Sequence, residues 1–237
     1  MRLAPALHRL GNELVAAHLI VTPDGITLVD AGLPGFYADL VREMDAIGRP
    51  LSDIRGVVLT HGDVDHVGCS ERLRRELGIP VYVHAADADR ARGGDKPKTT
   101  VGPMRPGPLL GFAAYAIRKG MRPQWLTEVR EVADGDELDL PGRPRVIGMP
   151  GHSPGSIAVF SPAVRAVFVG DALTTRHVLT GRRGPAPAPF TDDPAEALAS
   201  LARIEDLDAD WVLPGHGPAF QGSPSAAVSA VRAAARA

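Results

Sequence analysis

The chain has one cysteine, no long apolar run and no excess of either charge, and each absence excludes a class of protein. With Cys69 alone among 237 residues, no disulfide can form within the chain. No stretch approaches the roughly 18 uninterrupted apolar residues of a membrane span. The 26 Lys and Arg against 28 Asp and Glu give a formal charge of −2, without a footprint for nucleic acid or anionic membrane. We therefore expect a small-molecule partner, with no nucleic acid and no membrane.

The N-terminal segment MRLAPALHRLGNE lacks a secretory core, because His8 and Arg9 interrupt its apolar run. This segment and the single cysteine together predict a cytoplasmic protein. The length and the 44% hydrophobic fraction are ordinary for a globular protein with a sizeable core. We expect residues 1–237 to form one domain, and the sequence specifies no oligomeric state.

Short apolar runs alternate with helical patterns along the chain. Two runs within 14–30 flank the turn Thr22, Pro23, Asp24, Gly25, which is a hairpin signal. Further strands are predicted at 56–59, 81–84, 145–149, 157–161, 164–170 and 211–213, and helices at 36–47, 70–77, 109–119, 194–207 and 224–236. The Gly- and Pro-rich stretch 92–108 predicts a long loop, so we expect an inserted loop and helix at about 92–126. Two strand-rich halves with helices predict an α/β fold of two packed sheets, with the helices outside.

Residues 59–68, LTHGDVDHVG, place four potential metal ligands directly after an apolar run. In an extended segment alternate side chains share a face, so His61, Asp63 and Asp65 would lie together. A turn into the next helix would bring His66 beside them. In the alternative interpretation, Asp63 or Asp65 caps that helix and the two histidines are surface residues.

Three further segments put a histidine or an aspartate at a predicted strand end, next to glycine. They are MPGHSPGS with His152, VFVGDAL with Asp171 and VLPGHGP with His216. Each segment alone is typical of an ordinary turn. The ordered set of all four segments is a much stronger signal of a metal site.

Through these four segments the chain resembles the metallo-β-lactamase-fold hydrolases, whose pattern is HxHxDH followed by GH, GD and GH. The resemblance spans residues 14–218 and includes TLVDAG at 27–32, where Asp30 matches an aspartate that supports the metal site. It implies a four-layer αβ/βα sandwich of two mixed β-sheets with helices outside. It also implies two divalent metal ions, one held by His61, the residue at 63 and His152, the other by Asp65, His66 and His216, with Asp171 bridging them.

The function that this resemblance implies is metal-dependent hydrolysis. Coordination lowers the pKa of water to about 7, so a hydroxide at the dinuclear site would attack a carbonyl while Asp65 orients it. The expected substrate is a small ester, lactone or thioester, selected by the variable segments 92–126 and 176–190. Phe112 and Tyr115 on the inserted helix are candidates for substrate contact, and packing among apolar neighbours is the alternative.

Position 63 departs from the family pattern, which usually has histidine there. A third carboxylate would bring two divalent ions and a hydroxide near neutrality and lower their Lewis acidity. Zinc is the expected metal, although oxygen ligation shifts the preference toward iron or manganese. The alternatives are an iron-dependent redox or dioxygenase enzyme, or a metal-binding domain without turnover. Flavodiiron proteins share a similar pattern, HxExDH, but a flavodoxin-like domain follows their metal domain, whereas about twenty residues follow His216 here.

Overall fold

A computed structural model describes residues 1–94, 99–120, 122 and 124–236. The strands in this part of the chain are β1 (Arg2–Ala4), β2 (Leu7–Gly11), β3 (Ala16–Thr22), β4 (Gly25–Val29), β5 (Ile54–Val58), β6 (Val81–His84), β7 (Arg130–Val132), β8 (Arg145–Gly148), β9 (Ile157–Ser161), β10 (Ala166–Gly170), β11 (Thr174–Arg176), β12 (Arg183–Ala186), β13 (Trp211–Pro214) and β14 (Phe220–Gln221). The α-helices are α1 (Phe36–Ala46), α2 (Val64–Val67), α3 (Ser70–Leu77), α4 (Ala88–Ala91), α5 (Pro106–Lys119), α6 (Pro194–Ser200) and α7 (Pro224–Ala235). No helix among these residues is long and apolar enough to cross a membrane.

The strands form two mixed sheets and a separate pair. The first sheet has the order β1 to β7, antiparallel from β1 to β4 and parallel from β4 to β7. The second sheet has the order β14, β13, β10, β9, β8, in which β10 and β13 are parallel and the other neighbours antiparallel. Strands β11 and β12 pair only with each other among the described strands.

Apolar residues on both faces of each sheet explain the layering. Consecutive strand residues point to opposite faces, so Val57 packs under the helices of the first sheet and Val58 packs between the sheets. In the second sheet Phe168 lies between the sheets and Val169 packs against the cluster that includes α7. The resulting order is helices, sheet, sheet, helices. The predicted four-layer αβ/βα sandwich is confirmed.

The local sequence signals account for most element boundaries. Strand β3 ends at Thr22 and β4 begins at Gly25, as the hairpin signal predicts. Helix α7 begins with Pro224 at its first position, where the missing N–H is not needed, and the Ser223 hydroxyl accepts a hydrogen bond from the Ala226 N–H. Helix α6 is shorter than the predicted 194–207, because the chain tightens to a 3-10 helix over Leu201–Ile204.

The sequence pattern does not predict β1 and β2, because polar residues interrupt the apolar alternation there. His8 and Arg9 are nevertheless buried in β2. The Nδ1 atom of His8 lies 2.8 Å from a carboxylate oxygen of Glu43, and Arg9 donates to the Gly217 carbonyl at 2.7 Å. These long-range partners stabilise the buried His8 ring and one end of the Arg9 guanidinium, and local sequence cannot reveal them.

The expected insertion at 92–126 contains α5, which begins at Pro106 rather than at residue 109. Residues 95–98, 121 and 123 of that segment lie outside the described residues. The Thr100 N–H donates to the Thr191 carbonyl at 2.8 Å in an isolated antiparallel bridge. At this bridge the inserted segment therefore meets the residue that directly follows the second variable segment, 176–190.

Candidate metal centre

Strand ends from both sheets meet at one edge of the sandwich. Strands β4 and β5 are parallel, and β8, β10 and β13 share one direction because β8 and β10 are each antiparallel to β9. The candidate residues follow these strands: Asp30 after β4, His61 and Asp63 after β5, His152 after β8, Asp171 after β10 and His216 after β13. Parallel connectivity thus gathers residues that are far apart in the chain.

The backbone around Asp63 corrects one step of the sequence argument. The chain is extended at Asp63 (φ −81°, ψ 156°), but α2 begins at Val64, so strand-like alternation does not continue to Asp65. Asp65 and His66 reach the site from the first turn of a short helix. The Asp63 carbonyl accepts hydrogen bonds from the N–H groups of His66 and Val67, at 2.9 and 2.8 Å.

A glycine permits the close approach of the strand ends. A Cβ atom at Gly215 would lie 2.5 Å from the Cε1 atom of His66 and 2.7 Å from a carboxylate oxygen of Asp171. Any larger residue would displace one of these side chains. In the GH motif at 215–216, the glycine is therefore required for packing, and the histidine is a candidate ligand.

Six of the seven candidate ligands gather in two adjoining groups. The first contains His61, His152 and Asp171, and the second contains Asp65, His66 and His216. Within each group one ligand atom per residue lies within 4.8 Å of the others.

The seventh, Asp63, adjoins the first group, and Asp171 connects the two groups. The Oδ2 atom of Asp63 lies 3.7 Å from Nε2 of His61 and 3.6 Å from Nε2 of His152. Asp171 lies 3.8 Å from His152 Nε2 through Oδ2 and 3.6 Å from His66 Nε2 through Oδ1. Metal–ligand bonds of about 2.1 Å space the ligands of one tetrahedral ion roughly 3–4 Å apart, so these separations suit shared ions.

The protein holds each of the four histidines by its Nδ1 atom. Nδ1 of His66 lies 2.9 Å from Asp30 Oδ2, and Nδ1 of His216 bonds to the carbonyl of Leu14. Since a carboxylate and a carbonyl can only accept, both Nδ1 atoms carry the proton.

The other two histidines bond to threonine hydroxyls. Nδ1 of His61 lies 3.1 Å from Thr60 Oγ1, and Nδ1 of His152 lies 3.3 Å from Thr191 Oγ1. Histidines that bind metal in proteins have this kind of partner on the nitrogen opposite the metal, because it fixes the ring and its tautomer.

The inward-facing atoms fit a metal better than they fit an ordinary core. Nε2 of His61, His66 and His152 and Oδ1 of Asp171 are buried, with no hydrogen-bond partner among the described residues. A buried polar atom without a partner costs about 1–3 kcal/mol, so four in one place require an explanation. Imidazole nitrogens and carboxylate oxygens are the donors that zinc, iron and manganese accept.

The electrostatics of the site favour positive charge. Burial disfavours the charged form of His66, but the carboxylates of Asp30 and Asp171 outweigh burial and raise its pKa to about 10. Burial likewise opposes the charge of His216, and Asp171 and Asp65 raise its pKa to about 9. Against its own burial, Asp171 has a pKa well below the usual range because His216, His66 and His152 surround it. Divalent ions would supply the positive charge that these carboxylates attract.

Asp63 has a strong partner that sequence reasoning missed. Although it occupies the N-cap position of α2, its side chain makes no capping hydrogen bond. Its carboxylate instead receives two hydrogen bonds from Arg90, Nε to Oδ1 at 2.8 Å and Nη2 to Oδ2 at 3.0 Å. The capping interpretation is wrong for Asp63.

A second residue that sequence reasoning missed is Asp87, which is fully buried. Its carboxylate accepts hydrogen bonds from the Gly62 N–H at 2.8 Å, the Gly155 N–H at 2.8 Å and the Ser153 hydroxyl at 2.7 Å. Asp87 therefore ties the loop that carries His61 to the loop that carries His152. Nothing in its local sequence, an alanine-rich stretch after β6, marks it for this role.

A cavity of about 270 Å³ opens onto the candidate ligands. Its lining residues are Leu33, Asp63, Val64, Asp65, Arg90, Thr99, Phe112, Ala116, His152, Asp171, Val178, Phe190 and His216. Both variable segments contribute, one through Phe112 and the other through Phe190. Of the two substrate candidates, Phe112 lies in this lining, whereas Tyr115 is packed in the core of the first sheet and borders a different cavity beside Arg9.

A larger cavity of about 720 Å³ is lined in part by Thr100 and Thr191, the two residues of the isolated bridge. None of the seven candidate ligands lines it. Size alone would select that cavity, but the groups able to bind metal and activate water face the smaller one.

Comparison with known proteins agrees with this geometry. The model of the metallo-beta-lactamase superfamily matches residues 10–216. The chain is 29% identical over 234 residues to the probable metallo-hydrolase YflN of Bacillus subtilis, covering 90% of this chain and 84% of that protein.

Two solved structures show the same architecture. The protein TTHA1623, crystallised in a di-iron-bound form, matches with a TM-score of 0.65 and 29% identity over 94% of this chain and 97% of that one. A metallo-beta-lactamase family protein of Thermus thermophilus matches with a TM-score of 0.70 and 22% identity, over 99% of this chain and 80% of that one, which supports the fold.

Proposed function

We propose that this chain, which belongs to the metallo-β-lactamase superfamily, uses two divalent metal ions to hydrolyse a small ester, lactone or thioester. Superfamily membership and the match to a probable metallo-hydrolase support metal-dependent hydrolysis in general. The finer proposal depends above all on four buried histidines, each held at Nδ1. The Nε2 atom of each lies within 4 Å of a carboxylate of Asp63, Asp65 or Asp171.

In this proposal each group of ligands holds one ion. His61, Asp63 and His152 would bind the first ion, Asp65, His66 and His216 the second, and Asp171 both. Two bound divalent ions would lower the pKa of a water to about 7 and so supply hydroxide at neutral pH. Asp65 Oδ2 lies 3.5 Å from His216 Nε2, at the side of the cavity, where it would orient that hydroxide.

The cavity supports a small acyl substrate. At about 270 Å³ it falls just below the usual range of ligand pockets, about 300–1,000 Å³. Its lining combines apolar side chains, among them Leu33, Phe112 and Val178, with carboxylates and histidines of the candidate site. An acyl group against the apolar side chains would present its carbonyl to the polar ones and be shielded from water. The formal charge of −2 supports a small molecule over a nucleic acid as the substrate.

Zinc is the metal that we propose, because four histidines dominate the ligand set. The oxygen donor of Asp63 and the di-iron-bound form of TTHA1623 support iron as the second candidate. With iron, a redox or dioxygenase activity at the same centre becomes the alternative function.

A substrate panel tests the function. Nitrophenyl esters of increasing chain length, homoserine lactones and glutathione thioesters should include a substrate whose hydrolysis stops with chelator and returns with metal. Asp65→Asn should abolish this turnover, and the metal content of that variant is measured in the same preparation. Oxygen consumption with a thiol or persulfide, without hydrolysis of any panel member, would support the redox alternative. If no activity appears but a panel compound raises the melting temperature, binding without turnover is the better account.

A further inference from the structure

We propose that Arg90 is a positioning residue that makes an aspartate at position 63 serve as a metal ligand. Arg90 would hold the Asp63 carboxylate in one orientation and offset its charge. This inference rests on the proposed metal site, and it assigns a role to a residue outside the ligand set.

The first observation is the geometry of the pair. With Nε on Oδ1 and Nη2 on Oδ2, the guanidinium holds both oxygens of Asp63 in the plane of the fork. In this orientation Oδ2 lies 3.7 and 3.6 Å from the Nε2 atoms of His61 and His152. Because Oδ2 has a second lone pair, it can accept from Arg90 and still bind an ion.

The second observation is that Arg90 is itself fixed. Its side chain is 5% exposed, and Nη1 donates to Asp192 Oδ2 at 2.8 Å. Its helix, α4, sits directly on the ligand loop, since a Cβ at Gly62 would lie 2.7 Å from the Ala91 backbone nitrogen. The guanidinium therefore has little freedom to release Asp63, and position 62 requires glycine.

The third observation concerns charge. Counted alone, the third carboxylate brings two divalent ions and a hydroxide close to neutrality, which predicts weak Lewis acidity. Arg90 is always protonated and pairs directly with that carboxylate. The guanidinium thus weakens Asp63 as an electron donor and brings it closer to the neutral imidazole that the family usually has at this position.

If Arg90 and Asp63 act together, the effects of their substitutions on metal affinity must be non-additive. Arg90→Gln should lower the affinity of one of the two metal ions by about 10–100-fold, the usual effect of losing a residue that orients a ligand. Arg90→Lys keeps the charge but cannot donate to both carboxylate oxygens in the same way, so it should cause a smaller loss of metal affinity at the same site. Asp63→Ala should weaken the same ion. In an Asp63→His background, Arg90→Gln should cause little loss or none, because the carboxylate that Arg90 serves is gone.

The experiment is a metal titration against a competing chelator for the parent and these variants, with cobalt absorption spectra to separate the two sites. Arg92→Gln, an exposed arginine just beyond the end of α4, is the matched control and should leave both affinities unchanged. Melting curves without metal identify any variant that fails to fold, in which case Arg90→Lys and the Asp63→His pair still decide.

Two results would separate failure of this inference from failure of the proposed function. In the first, the parent protein takes up two ions, while Arg90→Gln and Arg90→Lys fold and bind metal at both sites as tightly as the parent does. This result would overturn the role of Arg90 and leave the proposed function intact. The role of Arg90 is also overturned if Arg90→Gln lowers the metal affinity equally with aspartate and with histidine at position 63. Arg90 would then support the fold in general. A folded parent that takes up no metal overturns the proposed function itself.

Discussion

Asp30 Oδ2 and His66 Nδ1 lie 2.9 Å apart, and this contact joins the end of β4 to the helix that follows β5. The same carboxylate accepts from the Thr60 N–H at 2.8 Å and from the Thr60 hydroxyl, whose oxygen also contacts His61. Asp30 thus orients a histidine in each ligand group, one directly and one through Thr60.

Asp30→Asn tests this relationship with little change in shape, because asparagine also tolerates the positive φ of 58° at this position. Loss of the charge should weaken the imidazole of His66 as a ligand and lower the affinity of its metal ion by about 10–100-fold. Titration against a chelator measures this change. Parent affinity at both sites would show that Asp30 supports the fold and not the metal.

Gly215→Ala should lower metal content, since its methyl group would meet His66 and Asp171 at 2.5–2.7 Å. Gly111→Ala is the control, because a Cβ there meets nothing within 4 Å on an exposed face of α5. That control should keep its metal and gain about 0.5–1 kcal/mol of stability from the better helix former. Elemental analysis and thermal unfolding of both variants provide the comparison, and full metal occupancy in Gly215→Ala would contradict the packing account.

Phe112→Ala should change substrate preference, because Phe112 lines the cavity beside the ligands. The KM should rise for long acyl chains more than for short ones, with metal content unchanged. Ile117→Ala, on the same helix but 68% exposed, should have no effect on either. A uniform loss on every substrate would indicate disturbed folding instead of a lost contact.

Cys69 should be inert to thiol reagents in the folded protein. Burial raises the pKa of its thiol from 9.0 to about 12, so the reactive thiolate is scarce at neutral and mildly alkaline pH. Because the unfolded state loses this proton first, the free energy of unfolding should also fall as pH rises from about 9 to about 12. Iodoacetamide labelling followed by mass spectrometry should show modification only after denaturant is added, and rapid labelling of the native protein at pH 8 would contradict the burial.

The architecture and the gathering of the candidate site residues could be predicted for a shared physical reason. Strands, glycines and candidate ligands lie close together in sequence, as in the run that ends β5 and continues through His61, Asp63, Asp65 and His66. Each motif could be recognised locally, and the parallel ends of the strands then determine that the motifs meet.

The supporting residues could not be predicted in this way. Arg90 lies 27 positions from Asp63, and Asp87 lies 66 positions from Ser153. Their roles depend on the seating of α4 against two loops, which is a tertiary contact without a local pattern. The same holds for Tyr115, whose side chain faces the core of the first sheet, while Phe112 on the same helix reaches the cavity.

The most direct test of the account is the metal content of the parent protein, purified without added metal and then titrated with zinc and with ferrous iron under anaerobic conditions. We expect uptake of close to two ions per chain, with hydrolysis of a panel substrate appearing as the sites fill. Elemental analysis after exhaustive dialysis gives the stoichiometry. A well-folded protein that retains no metal and takes up none on titration would contradict it.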